Sequence, residues 1–161
     1  MVLALVTSVL LCDPDAAIWG MEVAYTLSMG SDTALTFFGT VASLQSCVSL
    51  STSSALAPHP AVQYAAVKLF SALVRARSRY PPTLAACARQ FAGNLAEAGG
   101  ARVLLAAIEQ HRSFRDLLPL AFQVLARIHR RTLTSADLGK FAAADALLST
   151  RTGKSVAPLV T

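Results

Sequence analysis

No lysine or arginine precedes Lys68 in this 161-residue chain, and only 14% of the residues are charged. A secretory signal needs basic residues ahead of its apolar run, so Met1–Cys12 does not fit one. A membrane-spanning helix needs about 18 or more consecutive apolar residues. The longest candidate, Met1–Cys12, already contains Thr7 and Ser8 and stops at Asp13-Pro14-Asp15. Charge this sparse, against about 25% in ordinary domains, implies extensive burial or apolar surface covered by a neighbour. Aromatic residues are equally few, at 7% with a single tryptophan, while alanine and leucine abound, which favours helix over sheet.

Cysteine is scarce too. Cys12, Cys47 and Cys87 are odd in number and form no CxxC or Cys/His cluster, so neither a disulfide framework nor a zinc site is expected. Each reads as a small core residue in a reducing compartment. GxSxG and HExxH do not occur. Arg151-Thr152-Gly153-Lys154-Ser155 resembles the end of a phosphate-binding loop, but Leu148 stands where that loop needs glycine. The segment reads as a flexible basic tail. His59, His111 and His129 lie at helix ends, the first as a turn cap and the others near C-termini, where the helix dipole favours them. The chain is therefore expected to be non-enzymatic, with no cofactor and no metal.

What is present is a succession of helices with no competing strand alternation. Val2–Leu11 is apolar enough for a buried helix. Asp13-Pro14-Asp15 then supplies a cap and a first-turn proline, and Gly30 is expected to end that helix as a left-handed C′ residue. Ser31-Asp32 opens the next helix, and another is expected over Ser43–Leu50. After the polar connection STSSALAPHP, His59-Pro60 starts the clearest amphipathic pattern. Val62, Ala65, Ala66, Leu69, Phe70, Leu73 and Val74 face inward, with Gln63, Lys68, Ser71 and Arg75 largely opposite. Thr83 can cap a helix through Ala98, and Gly99-Gly100 stops it. Ala101–Gln110 and Leu117–His129 follow, the last with Pro119 in its first turn.

Three of these helices share a pattern: Val23–Leu27, Ala65–Leu69 and Leu120–Val124 align on Ala24, Ala66 and Ala121. The alanines lie 42 and 55 residues apart, near the 40–47-residue period of three-helix repeats. The run LVTSVLLCDPDAAIWGMEVAYTLSMGSDTALTFF looks like armadillo repeats, and AEAGGARVLLAAIEQHRSFRDLLPLAFQVLARI (Ala96–Ile128) shows the same layout. The resemblance to the armadillo/HEAT family covers residues 2–130. It implies an all-α, right-handed superhelix of about three irregular repeats, with units near 1–42, 43–98 and 99–130. Residues 131–161 would form a partial further repeat and a basic tail.

The resemblance also implies that the third helices line a concave surface for a partner. Importin-like relatives carry a Trp/Asn ladder there. Tyr25 and Met29, Val67 and Ser71, and Phe122 and Ala126 occupy the matching positions, which argues against nuclear-signal binding of that type. Charge suggests a different grip. Residues 1–60 carry four acids and no base, whereas residues 61–161 carry all 14 bases and five acids. Arg75 aligns with Arg130 and Lys68 with Gln123.

The expected role is a protein-interaction scaffold whose basic strip (Lys68, Arg75, Arg127, Arg130) attracts an acidic segment. Tyr25, Met29, Val67, Ser71, Phe122 and Gln123 would complete the contact surface. The same arginines could simply complement helix C-termini. One alternative is a helical-bundle subunit of a larger complex; RNA binding ranks lower, because only Tyr80 lies among the arginines. The chain is expected to be intracellular, most simply cytoplasmic, and to self-associate through apolar ends. It is also expected to begin inside a repeat and end in an incomplete one, as a fragment or a docking protein would.

Overall fold

A computed structural model describes residues 13–75 and 82–128, with backbone alone over 82–86. The expected first helix, the arginine-rich stretch after Arg75, His129 and the C-terminal tail lie outside the described residues. Within them the protein is all-α. Seven helices follow one another: α1 (Pro14–Gly30), α2 (Asp32–Phe38), α3 (Val41–Thr52), α4 (Pro60–Val74), α5 (Pro82–Glu97), α6 (Gly100–Gln110) and α7 (Leu117–Ile128).

Local chemistry sets most of the boundaries. Asp13 caps α1, its Oδ1 accepting from the backbone N–H groups of Asp15 at 3.0 Å and Ala16 at 3.4 Å. Pro14, at the first helical position, has no N–H to satisfy. The end of α1 departs from expectation. Gly30 is an ordinary helical residue, and the cap is Ser31, in extended conformation with its N–H on the Leu27 carbonyl. Ser31 has a second duty: its Oγ accepts from the Ala34 N–H at 3.3 Å and starts α2. A serine shared by two abutting helices must be extended, which leaves no room for a left-handed glycine.

Thr40 does the same for α3, which begins two residues earlier than expected because Thr40 Oγ1 accepts from the Ser43 N–H. His59 precedes Pro60 but makes no side-chain cap, contrary to its expected role. Gly99 is the left-handed residue, at φ 87°, turning α5 into α6.

Three pairs of helices three apart in the chain pack together: α1 with α4, α3 with α6 and α4 with α7, and α3 also lies against α5. Ala24, Ala66 and Ala121 are all buried at the centres of α1, α4 and α7. Small residues there let helix axes approach closely. One continuous core runs from Ala17 to Ile128, with Phe70 and Phe122 fully enclosed.

The inward face expected for α4 is buried in full, and so is Gln63, whose spacing puts it on the opposite face. Its Nε2 donates to the Ser51 carbonyl at 2.8 Å, closing one of the orphan carbonyls at the end of α3. His111 likewise places Nε2 3.0 Å from the Ala57 carbonyl, tying the end of α6 to the loop before α4.

Cys47 and Cys87 are free and partly buried, and burial pushes the Cys47 thiol up to about 11. Among the described residues no single helix is long and apolar enough to cross a membrane. α2 and α3 reach that length only together, across a 64° bend.

Candidate interaction surface

The surface of interest is the outward stripe of α1, α4 and α7. On α1 it carries Glu22, Tyr25 and Met29; on α4 Tyr64, Lys68, Ser71 and Arg75; on α7 Gln123 and Arg127. The spacings of three and four residues place each set on one helix face.

Lys68 joins the first two helices. Its Nζ donates to both Glu22 carboxylate oxygens, at 2.9 and 2.7 Å. The same ammonium sits 4.5 Å from the centre of the Tyr25 ring. The Glu22 hydrogen bond holds Lys68 above the usual lysine range. A cation committed to a carboxylate has little charge left to steer an acidic partner, so Lys68 belongs to the α1–α4 seam. Tyr25 is half-buried beneath it.

Arg127 joins the second and third helices. Its Nη1 donates to the Val74 carbonyl at 2.9 Å, at the C-terminal end of α4 and next to Arg75. The guanidinium thus complements a neighbouring helix's C-terminus rather than its own. It also brings a second positive group to the helix end that carries Arg75, and both arginines are exposed.

Two expected contact residues are corrected. Val67 is 1% exposed and Phe122 is 0% exposed, so both are core side chains that no partner reaches. They follow Ala66 and Ala121 in sequence, one step around the helix from those buried alanines. That step turns them into the core rather than out of it. Met29 and Gln123 are exposed and Ser71 is half-buried, so these three remain on the surface. Arg130 lies outside the described residues.

Sequence reasoning passed over Glu22, whose pairing with Lys68 spans 46 residues. It also passed over Tyr64, whose ring packs 5.5 Å from that of Phe114 at the edge of the same stripe. The i, i+4, i+7 run Tyr64-Lys68-Ser71 could have signalled Tyr64. Among the described residues no three His, Cys, Asp or Glu side chains gather closely enough to hold a metal ion.

Comparison with known families, curated proteins and solved structures finds no match to this chain.

Proposed function

We propose that the chain is an armadillo-like α-solenoid piece that acts as a non-enzymatic protein-interaction scaffold. The observation that carries this reading is the series α1, α4, α7, in which each third helix packs on the one before it. α4 and α7 each also reach back with one polar side chain: Lys68 to Glu22, and Arg127 to the Val74 carbonyl. In this reading α2–α3–α4 and α5–α6–α7 are the repeat units, and α1 is the third helix of the unit before them. In this register the units would begin at the start of α2 and of α5, in place of the bounds near residues 43 and 99 that the sequence spacing suggests.

The exposed stripe then serves as a groove. An acidic, extended or helical partner segment lies across Met29, Ser71 and Gln123, with its carboxylates at the α4 end, where Arg75 and Arg127 meet. Arg75 and Arg127 supply the steering charge, with Arg130 following in sequence, and Lys68 does not. Recovery of the partner by pull-down tests this. A folded Arg75→Glu/Arg130→Glu variant loses the partner, and the difference from wild type is largest at low salt and shrinks as salt rises, because rim charges act through a screened field. Unchanged recovery from the folded double variant removes the groove reading.

A further inference from the structure

α1 carries a row of side chains that the groove does not use. Asp15, Trp19, Val23 and Leu27 recur every four residues, so they follow one side of the helix. That side is opposite the buried Ala17, Met21, Ala24 and Ser28. All four are exposed, Trp19 at 72%, Val23 at 53% and Leu27 at 49%. Asp15 closes one end of the row. Beyond the other end, two residues past Gly30, stands Asp32, also exposed. Among the described residues neither of these acids is in an ion pair, whereas Glu22 is held by Lys68.

The matching surface is therefore an apolar helical face with a base at each end. A second α1 does not fit, because it would set acid against acid. The chain itself encodes such a face outside the described residues. Residues 129–161 carry five bases and two acids, against four acids and no base over 13–67. Read as a helix, Lys140, Ala144, Leu147, Leu148 and Arg151 fall on one face, with Phe141 at its edge. Asp137 lies a turn ahead of that face and Asp145 on its flank. Lys140 and Arg151 are about 17 Å apart along such a helix, close to the roughly 18 Å from Asp15 to Leu27. Their long stems carry the charges out to the acids. The other stretches outside the described residues lack one feature or the other. Met1–Cys12 has no charged side chain, and residues 76–81 have no apolar row.

We propose that residues 140–151 are an intrachain strap for this side of α1. Phe141, Leu147 and Leu148 cover Trp19, Val23 and Leu27, while Lys140 and Arg151 meet Asp15 and Asp32. The reach is sufficient. Helices pack about 8–10 Å apart, so a helix docked on α1 beyond α4 lies about 24–30 Å from α7. Residues 129–139, fully extended, span up to about 36 Å. The tether sets an effective concentration on the order of millimolar, so a modest contact suffices, an advantage that a second copy's segment lacks. The strap is a removable cover, which salt loosens by screening its end charges. The inference does not use the groove, so the Arg75 experiment can fail without touching it.

Trp19 is the chain's sole tryptophan, which makes its fluorescence a direct reporter. The full chain is measured by emission, acrylamide quenching and sedimentation over a range of concentrations. The expected result is blue, quencher-protected emission from a monomer, independent of concentration. Lys140→Glu/Arg151→Glu shifts the emission to the red and opens Trp19 to quencher. Asp15→Lys/Asp32→Lys does the same, and the variant combining all four substitutions regains the protection. Circular dichroism checks that each variant is folded.

Red, quenchable emission from the wild-type monomer overturns the proposal. So does protection that appears only as the mass doubles, because a second copy then covers the row. Protection that survives both charge reversals, or that the combined variant fails to regain, overturns it as well. Should the Asp15 variant misfold, a photo-crosslinking residue at Val23 decides. Intrachain adducts within residues 140–151 support the strap, and adducts confined to any other segment refute it.

Discussion

Gly39 offers a sharp test of the packing, because backbone and side-chain effects there have opposite signs. The residue sits at φ −77°, ψ −3°, a conformation that alanine adopts freely. On backbone grounds alone, Gly39→Ala would stabilise the protein by about 0.4–1 kcal/mol, by restricting the unfolded chain. The structure predicts the reverse. A Cβ at Gly39 would lie 2.7 Å from Phe91 Cγ, and nearer still to Cδ1 and Cε1. Carbon atoms prefer about 3.5–4.0 Å, so the ring must move by roughly 1 Å.

Phe91 has nowhere to go. It is 4% exposed, its ring is rigid, and Asn94, one turn on, donates to the Gly39 carbonyl at 2.8 Å. Overpacking of this kind costs about 1–3 kcal/mol, and the upper half of that range is expected. Urea unfolding followed by circular dichroism reads the cost as a lower midpoint at constant slope. Gly30→Ala, in open space, serves as the control and is neutral or stabilising by up to about 0.5 kcal/mol. Pairing Gly39→Ala with Phe91→Leu should recover part of the loss, a non-additivity expected only of groups in contact. A Gly39→Ala protein as stable as wild type would show that the α2–α3 corner does not rest on α5 in this way.

Three further outcomes follow from individual side chains. Lys68 is held above its ordinary value by Glu22, so its stabilising effect is complete below the unfolded-state value near 10.5. That effect is lost as pH rises through the higher folded-state value. The stability gap between wild type and Lys68→Met, under about 1 kcal/mol for so exposed a pair, should therefore close above pH 10.5, and a gap that widens there would contradict the pairing. Ser28 Oγ is buried without a hydrogen-bond partner among the described residues. Ser28→Ala should be neutral or stabilising by about 1 kcal/mol in urea melts, and a clear loss would mean that the hydroxyl is satisfied. Cys47, with its thiol raised to about 11, should react with a thiol reagent at pH 8 far more slowly than in urea. Equal rates measured by peptide mass spectrometry would show that the site is open.

How much of this was legible in the sequence depended on the range of the interaction. The start of α1 could be read because Asp13, Pro14 and the N–H groups they serve lie within four residues. The end of α1 was misread because Gly30 is the usual signal, whereas Ser31 is required by the helix that follows. The alanine alignment identified the three helices that pack in series, since helix crossings impose their own spacing. It could not say which neighbours of those alanines face out. α4 lies between α1 and α7 and also meets α5, so little of its surface stays free, and Val67 and Gln63 are consumed by burial. Partners such as Lys68 with Glu22, or Arg127 with the Val74 carbonyl, are 46 and 53 residues apart, and nothing local encodes them. Of the basic residues picked out by composition, Lys68 is thus paired with a carboxylate, while Arg75 is exposed.

The central claim is that a partner lies across α4 and α7 on the stripe ending at Arg75. A photo-crosslinking residue placed at Ser71, at Gln123 or, as a reference on α3, at exposed Gln45 tests it most directly, with adducts mapped by mass spectrometry. The account predicts adducts from Ser71 and Gln123 to one acidic segment of the partner, suppressed by Arg75→Glu, and none from Gln45. Adducts from Gln45 with none from Ser71 or Gln123 would place the partner elsewhere and contradict it.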